Sequence, residues 1–335
     1  METDHTAAPE SSGLVITARE GPLPARIEAL ADEARAHLEN SKAKNTRRAY
    51  ASDWADFTDW CRIHGLDPLP AAPQTVALYL TDCARGLKTS TLQRRLSTIS
   101  EAHRAAGHAD SPTRHPAVRA VWQGIRREKG VAARGKAPAL TADLRLMVDH
   151  LSDDNPLLAA RDRCLLLLGF AGAMRRRELV GLDAGDVLET GDGLVVTIRR
   201  SKTDQEGAGR KVGIPYGSTP RTCPVRAHRA WREASGIADG PLFRAVDRHG
   251  NLSPARLTDQ VVARVVKRAL AAAGRDAGEF AGHSLRAGLA TQAAMNGVSE
   301  RAIQDQTGHK SLPVLRRYIR DGSLFRENAA ANLGL

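Results

Sequence analysis

From Ala25 onward, apolar residues recur every three or four positions, in stretches separated by Pro, Gly, Ser and Asn. That period predicts helices. One spans residues 25 to about 38. The next opens at Asn45-Thr46, carries Tyr50, Trp54, Phe57, Trp60 and Cys61 at helical spacing, and stops at His64-Gly65. Pro70 and Pro73 mark a loop. Another helix holds Val76, Leu78, Tyr79 and Leu80 and ends near Arg85-Gly86. A further one starts at Thr89-Ser90 and sets Leu92, Leu96, Ile99 and His103 on one face. After a break at Ser111-Pro112, the last of this group runs from His115 to about Glu128. Residues 25–129 therefore read as an all-helical bundle. Residues 1–24, rich in Pro, Ser, Thr and Ala, read as a disordered leader. Residues 130–138 are small and basic without periodicity, and read as a linker.

A second domain is expected over residues 139–335. Thr141 is placed to cap a helix that runs to His150, and Asp154-Asn155-Pro156 introduces a strongly apolar, buried helix over residues 157–173. The period then changes to that of strands: Leu194-Val195-Val196-Thr197-Ile198 and Lys211-Val212-Gly213-Ile214-Pro215, with a hairpin loop at residues 201–209 between them. Helices follow over residues 224–235, 257–273, 283–296 and 299–307, with a last one beginning near Leu312. No repeat of solenoid length is visible.

Composition narrows the classes. With 335 residues and 42% hydrophobic content the chain can fill two cores. Only 4% of it is aromatic, which favours helices over sandwiches or barrels. No apolar run reaches the roughly 18 residues of a membrane span. The polar, acidic start is not a secretory signal, so a cytoplasmic protein without membrane partners is expected. Cys61, Cys83, Cys164 and Cys223 are too far apart for zinc pairs and read as buried or incidental thiols. Charge is uneven. Residues 1–40 carry three Arg against eight acids, residues 41–135 carry 16 basic against eight acidic residues, and residues 136–335 carry 30 against 22. Two basic segments behind an acidic leader suggest a polyanion as partner.

The phosphate-binding and metal-binding motifs GxxxxGK[ST], GxGxxG and HExxH do not occur in the chain, so chemistry without cofactor or metal is expected. Four places remain. Arg175 and Glu178 follow the apolar helix in Gly172-Ala-Met-Arg-Arg-Arg-Glu-Leu, where a rigid Arg can clamp a phosphate; a solvated basic turn has the same composition. Lys202 sits at a hairpin tip and could serve as a proton donor, although hairpin lysines are ordinarily just solvated. His283 and Arg286 share a helix face, but a single His-x-x-Arg is expected by chance in so Arg-rich a chain. His309 follows Gly308, and Tyr318 lies in the basic segment Arg316-Arg-Tyr-Ile-Arg320. Such a Tyr is structural, or a nucleophile where neighbouring charge favours phenolate.

Individually weak, these residues are specific in their order. Arg175-x-x-Glu178-Leu, Lys202, His283-x-x-Arg286 and Gly308-His309, with Tyr318 nine residues later, resemble the catalytic domain of the tyrosine recombinases, the phage integrase family. Trp54-x5-Trp60-Cys61, Ala84-Arg-Gly-Leu87 and Arg126-Arg-Glu-Lys129 resemble the core-binding domain of Cre-type members. His309 stands where Cre-type members can carry Trp. The resemblance implies a mainly α fold with a small antiparallel β-sheet. A helical, SAM-like core-binding domain and a catalytic domain would form a two-domain C-shaped DNA clamp, with an exchange helix at residues 323–335.

The resemblance also implies site-specific DNA recombination without metal or nucleotide. Tyr318 would form a 3′-phosphotyrosyl bond, Arg175, Arg286 and His309 would bind the phosphate, and Lys202 would protonate the leaving 5′ oxygen. His283 would accept the tyrosine proton or assist its transfer, and Glu178 would orient the cluster. The implied partners are double-stranded DNA with an inverted-repeat site and three further copies of the chain in a homotetramer. Lys88, Gln93, Arg94 and Arg95 on one helix, and Thr258, Gln260, Arg264 and Lys267 on another, are the candidates for DNA contact. A type IB topoisomerase-like enzyme and a catalytically silent DNA-binding protein are the competing classes.

Overall fold

The computed structural model describes residues 24–41, 43–130, 135–199 and 209–322. The leader, the hairpin tip with Lys202 and the expected exchange helix at residues 323–335 lie outside them. The chain divides into two compact units between residues 134 and 135.

The first unit is helical: α1 (Ala25–Asn40), α2 (Lys44–Ile63), α3 (Pro73–Ala84), α4 (Thr89–Ala105) and α5 (Pro116–Lys129). Its core is the one the spacing predicts. Trp54, Phe57 and Cys61 of α2 pack with Val76, Tyr79 and Leu80 of α3 and with Leu92, Leu96 and Ile99 of α4. The polar member of that face, His103, is buried but satisfied. Its Nε2 accepts from the Ala71 N–H at 2.9 Å and its Nδ1 bonds the Ile99 carbonyl at 2.8 Å.

The same helices engage two of the arginines expected at DNA with carboxylates of the first unit. Arg94 donates twice to buried Asp53, at 2.6 and 2.9 Å. Arg95 is half-buried, and its guanidinium bonds Asp56 at 2.5 and 2.9 Å and the Tyr79 hydroxyl at 2.6 Å. A buried carboxylate needs a charged partner, and these two arginines are engaged with α2 and α3. Lys88, Gln93 and Arg94 are exposed.

The second unit holds α6 (Thr141–Asp149), α7 (Pro156–Ala171), α8 (Arg176–Gly181), β1 (Val187–Thr190), β2 (Gly193–Ile198), β3 (Arg210–Pro215), α9 (Pro224–Ser235), β4 (Arg244–Val246), β5 (Leu252–Arg256), α10 (Asp259–Ala272), α11 (Ser284–Met295), α12 (Glu300–Thr307) and α13 (Leu312–Gly322). Asn155 caps α7 by accepting from the Leu158 N–H at 3.0 Å. Cys164 to Leu168 of α7 are buried on every side, so this helix is the centre of the core and packs on α9 and α11. β1, β2 and β3 form one antiparallel sheet, in which buried Leu194 and Val196 pair with buried Ile214 and Val212. β4 and β5 form a separate hairpin.

Two local expectations change. The α6 cap is made by the Asp143 carboxylate, which accepts from the Leu140 N–H at 3.0 Å, while the Thr141 N–H donates to Gln292. Residues 136–139 also belong to the second unit. The Ala137 and Ala139 N–H groups donate to the Glu279 and Ser284 carbonyls at 2.8 and 2.9 Å, and Ala139 is fully buried. Cys61, Cys164 and Cys223 are buried thiols and Cys83 is half-buried. Among the described residues no helix is long and apolar enough to cross a membrane.

Candidate active site

The buried helix α7 delivers the chain to a turn at Gly172-Ala173. Ala173 adopts φ 47°, a left-handed conformation costly for any residue with a Cβ. Its carbonyl accepts from Arg286 Nη1 at 2.7 Å. Arg286 projects from the first turn of α11 and is 1% exposed, yet its Nε and Nη2 are buried without a hydrogen-bond partner.

Two residues beyond that turn, Arg175 caps α8. Glu178 holds it at both ends, accepting from the Arg175 N–H at 2.9 Å and from Nη1 at 2.5 Å. Helix capping and guanidinium positioning thus share one buried carboxylate. A third guanidinium comes from Arg210, the first residue of β3. Its Nη2 lies 3.9 Å from Glu178 and its Nη1 donates to the Gln306 carbonyl at 3.1 Å. Gln306 itself donates to the carbonyls of Ala171 and Gly213. The turn that carries His309 is therefore braced against α7 and β3. Gly308 stands at φ 62°, and a Cβ there would come within 2.8 Å of Arg210 Nε. Both the backbone and the guanidinium beneath it require glycine.

Two imidazoles and a phenol complete the cluster. His283, at the start of α11, places Nε2 3.0 Å from Tyr318 Oη on α13. The His309 ring lies 6.0 Å from the Tyr318 ring and bonds Thr307 Oγ1 through Nδ1 at 2.7 Å. Burial, then the charges of Arg286 and Arg175, push His309 down to about 3. Burial and the same two arginines also hold His283 below the usual imidazole range. Burial, then Arg175, brings Arg286 down to about 10. Among the described residues, Arg175, Arg210 and Arg286 face one carboxylate, Glu178, which leaves a local excess of two positive charges beside neutral imidazoles. The desolvated guanidiniums of Arg210 and Arg286, each with a buried donor unused, are complementary to a phosphate. A neutral imidazole on a phenol is placed to take its proton.

Arg175, Glu178, His283, Arg286, His309 and Tyr318 are thus brought together, and Lys202 lies outside the described residues. Gln260, Arg264 and Lys267 form an exposed stripe along α10, with Thr258 exposed at its N-cap. Arg210, Gln306 and Thr307 were not expected at the site. Arg210 reads in sequence as an ordinary polar strand end, and the only local signal for the others is their place beside Gly308-His309.

Comparisons with known proteins place both units in one family. The phage integrase family model matches residues 141–323, and that of the phage integrase N-terminal SAM-like domain matches residues 35–109. The chain is 44% identical over 304 residues to an integrase/recombinase xerD homolog of Selenomonas ruminantium, covering 90% of this chain and 89% of the relative. It is 29% identical to recombinase cre of Escherichia phage P1, across 88% of this chain and 91% of that one. Among solved structures, XerH site-specific recombinase bound to palindromic difH substrate has the same fold, with a TM-score of 0.63 at 16% identity over 91% of this chain and 84% of that one. With a cation-ringed tyrosine in one unit and both units matched in sequence, the chain belongs to the phage integrase family, the tyrosine recombinases that cleave and rejoin DNA.

Proposed function

We propose that this recombinase exchanges strands between two copies of a specific duplex site through a 3′-phosphotyrosyl intermediate. The observation that carries the reading is the 3.0 Å contact of His283 Nε2 with Tyr318 Oη inside a pocket of excess positive charge. Tyr318 Oη attacks the scissile phosphorus as its proton passes to His283. The P–Oη bond forms and the bond to the 5′ oxygen breaks, with Lys202 supplying the proton to that oxygen. Arg175 and Arg286 hold the non-bridging oxygens and His309 adds a hydrogen bond. A phosphodiester carries one negative charge and the pentavalent transition state two. A fixed excess of two positive charges therefore favours the transition state over the ground state. Because the phosphoester bond is kept on Tyr318, the partner strand's 5′-hydroxyl rejoins it without a nucleotide.

Sequence is read by Lys88, Gln93 and Arg94 in the first unit and by Thr258, Gln260, Arg264 and Lys267 in the second, on an inverted-repeat site. The working assembly is a homotetramer, in the manner of the lambda integrase tetramer bound to a Holliday junction, whose fold this chain shares with a TM-score of 0.56. The site of action is the cytoplasm.

The test uses a duplex selected by the protein from a random pool and nicked near the cleavage point, so that the cut end diffuses away. A covalent adduct that disappears in Tyr318→Phe is expected, together with recombinant products from two-site substrates. No adduct on the selected site would leave a silent binder. Relaxation of supercoils without recombinants would leave a topoisomerase.

A further inference from the structure

The hydrogen bonds around His309 fix where its proton sits. Thr307 is fully buried, and its Oγ1 lies 2.7 Å from the Ile303 carbonyl one turn earlier. A carbonyl has no hydrogen to give, so the hydroxyl proton points at Ile303. The face of Oγ1 turned to His309 Nδ1, at 2.7 Å, is then a lone pair. Two acceptors do not share such a contact, so Nδ1 carries the hydrogen. The Gln304 side chain donates to the His309 carbonyl at 3.0 Å and holds the backbone of the same turn. A neutral imidazole has one N–H, which leaves Nε2 bare.

Every other element packed around the ring contributes a cation or a neutral group. Arg175 stands at the head of α8, Arg210 on β3, His283 and Arg286 on α11, and Tyr318 on α13. Lys310, next in the chain, is exposed. The nearby carboxylate among the described residues, Glu178, is taken by Arg175. Together with burial these charges keep the ring neutral in the protein without DNA.

We propose that Thr307 is a positioning residue that holds neutral His309 as the Nδ1–H tautomer, so that the imidazole donates to the scissile phosphate at Nε2 only after taking up a proton from solvent. The anionic phosphate offsets part of the surrounding charge and admits that proton. The resulting bond is charge-assisted and stronger than a neutral one. His309 is then a full donor only when a phosphate is present. The tautomer stands on the hydrogen bonds alone, whereas the proton uptake rests on the strand-cleavage reading.

The experiment is long-range proton–nitrogen correlation NMR on the full chain with 15N-labelled histidine, the His309 signals being assigned by their loss in His309→Gln. At pH 7 the wild type is expected to show the Nδ1–H pattern. Thr307→Ser, which keeps the hydroxyl, should preserve it. Thr307→Val, equal in size but unable to accept, should move His309 to the Nε2–H pattern. Thermal melting verifies that the valine variant is folded, and Thr307→Ala serves in its place if it is not. An Nε2–H pattern in the wild type overturns the proposal, as does an unchanged Nδ1–H pattern in a folded variant lacking the hydroxyl. With the selected duplex bound to Tyr318→Phe protein, His309 should adopt the doubly protonated pattern. A neutral ring in that complex overturns the uptake. Failure of the protein to form any adduct on the same duplex strikes the recombinase reading instead, and leaves the tautomer result intact.

Discussion

Tyr318 Oη and His283 Nε2 meet at 3.0 Å although 35 residues separate them. Packing brings them together. Leu315, one turn before Tyr318 on α13, is fully buried against Ala290 and Ala294 of α11 and Ile303 of α12. His283 stands at the head of α11, so the same apolar contact that docks α13 fixes the phenol against the imidazole. On the proposed mechanism, His283 is the acceptor of the Tyr318 proton. His283→Gln should slow covalent adduct formation by roughly 10²-fold or more, the usual worth of a positioned base. Affinity for the selected duplex should stay within about threefold, since phosphate contacts elsewhere dominate binding. Single-turnover cleavage and equilibrium binding measure the two separately. A cleavage rate within threefold of wild type would place the proton acceptor elsewhere.

On the proposed mechanism, Arg286 is a cation held for function against stability. It is buried, bonded only at Nη1, and faces Arg175 and Arg210. Replacing an unbalanced buried charge by an apolar residue of similar length is often neutral or stabilising. Arg286→Met should therefore melt at or above the wild-type temperature while losing adduct formation. Inorganic phosphate should raise the melting temperature of the wild type, because it binds the native state alone. It should leave Arg286→Met much less affected. Equal stabilisation of both proteins by phosphate would mean that the anion binds elsewhere.

The helices and their buried faces were legible because helical periodicity is local, and the candidate site residues were legible because their order along the chain is distinctive. What local pattern could not show is pairing at a distance. Arg95 looks like part of an exposed basic face until Asp56, 39 residues earlier on α2, and Tyr79 on α3 take its guanidinium. Thr141 looks like a cap until Asp143 and Gln292 take over the free N–H groups. β4 and β5 are short and largely exposed, so they lack the alternation that marks a strand. Arg210 gains its place from Gly308, and no spacing rule connects a strand end to a glycine 98 residues later.

Close approach of backbones makes a sharp test of the catalytic unit. A Cβ on Gly288 of α11 would lie 1.8 Å from the Ala139 carbonyl oxygen, in the segment hydrogen-bonded to Ser284. Neither partner is a flexible side chain, so α11 must move. Gly288→Ala should destabilise the protein by about 3 kcal/mol, the upper range for overpacking. Because α11 carries His283 and Arg286, adduct formation should fall even under conditions where the variant is fully folded. Gly124, in α5, has open space around its Cβ position. Gly124→Ala should stabilise by about 1 kcal/mol through helix propensity alone. Urea melts of both variants decide whether the contact or the mere loss of glycine matters.

Acid should weaken the fold well before carboxylates titrate. His228 on α9 is buried with neither ring nitrogen hydrogen-bonded, and burial, then Arg232, pushes it down to about 4. His309 is pushed down to about 3, and burial also lowers His103 and His283. An unfolded chain protonates its histidines near pH 6.5, whereas these stay neutral in the native state. Below that pH the unfolded state binds more protons, so stability falls as pH drops from 6.5 toward 4. For His228 alone the loss between pH 7 and pH 5 is about 2 kcal/mol. His228→Leu removes two unsatisfied buried nitrogens and this titration together. It should be more stable than wild type at pH 7 and lose about 2 kcal/mol less on going to pH 5, read from urea unfolding at the two pH values. An identical pH dependence in the two proteins would show that His228 is already charged in the native state.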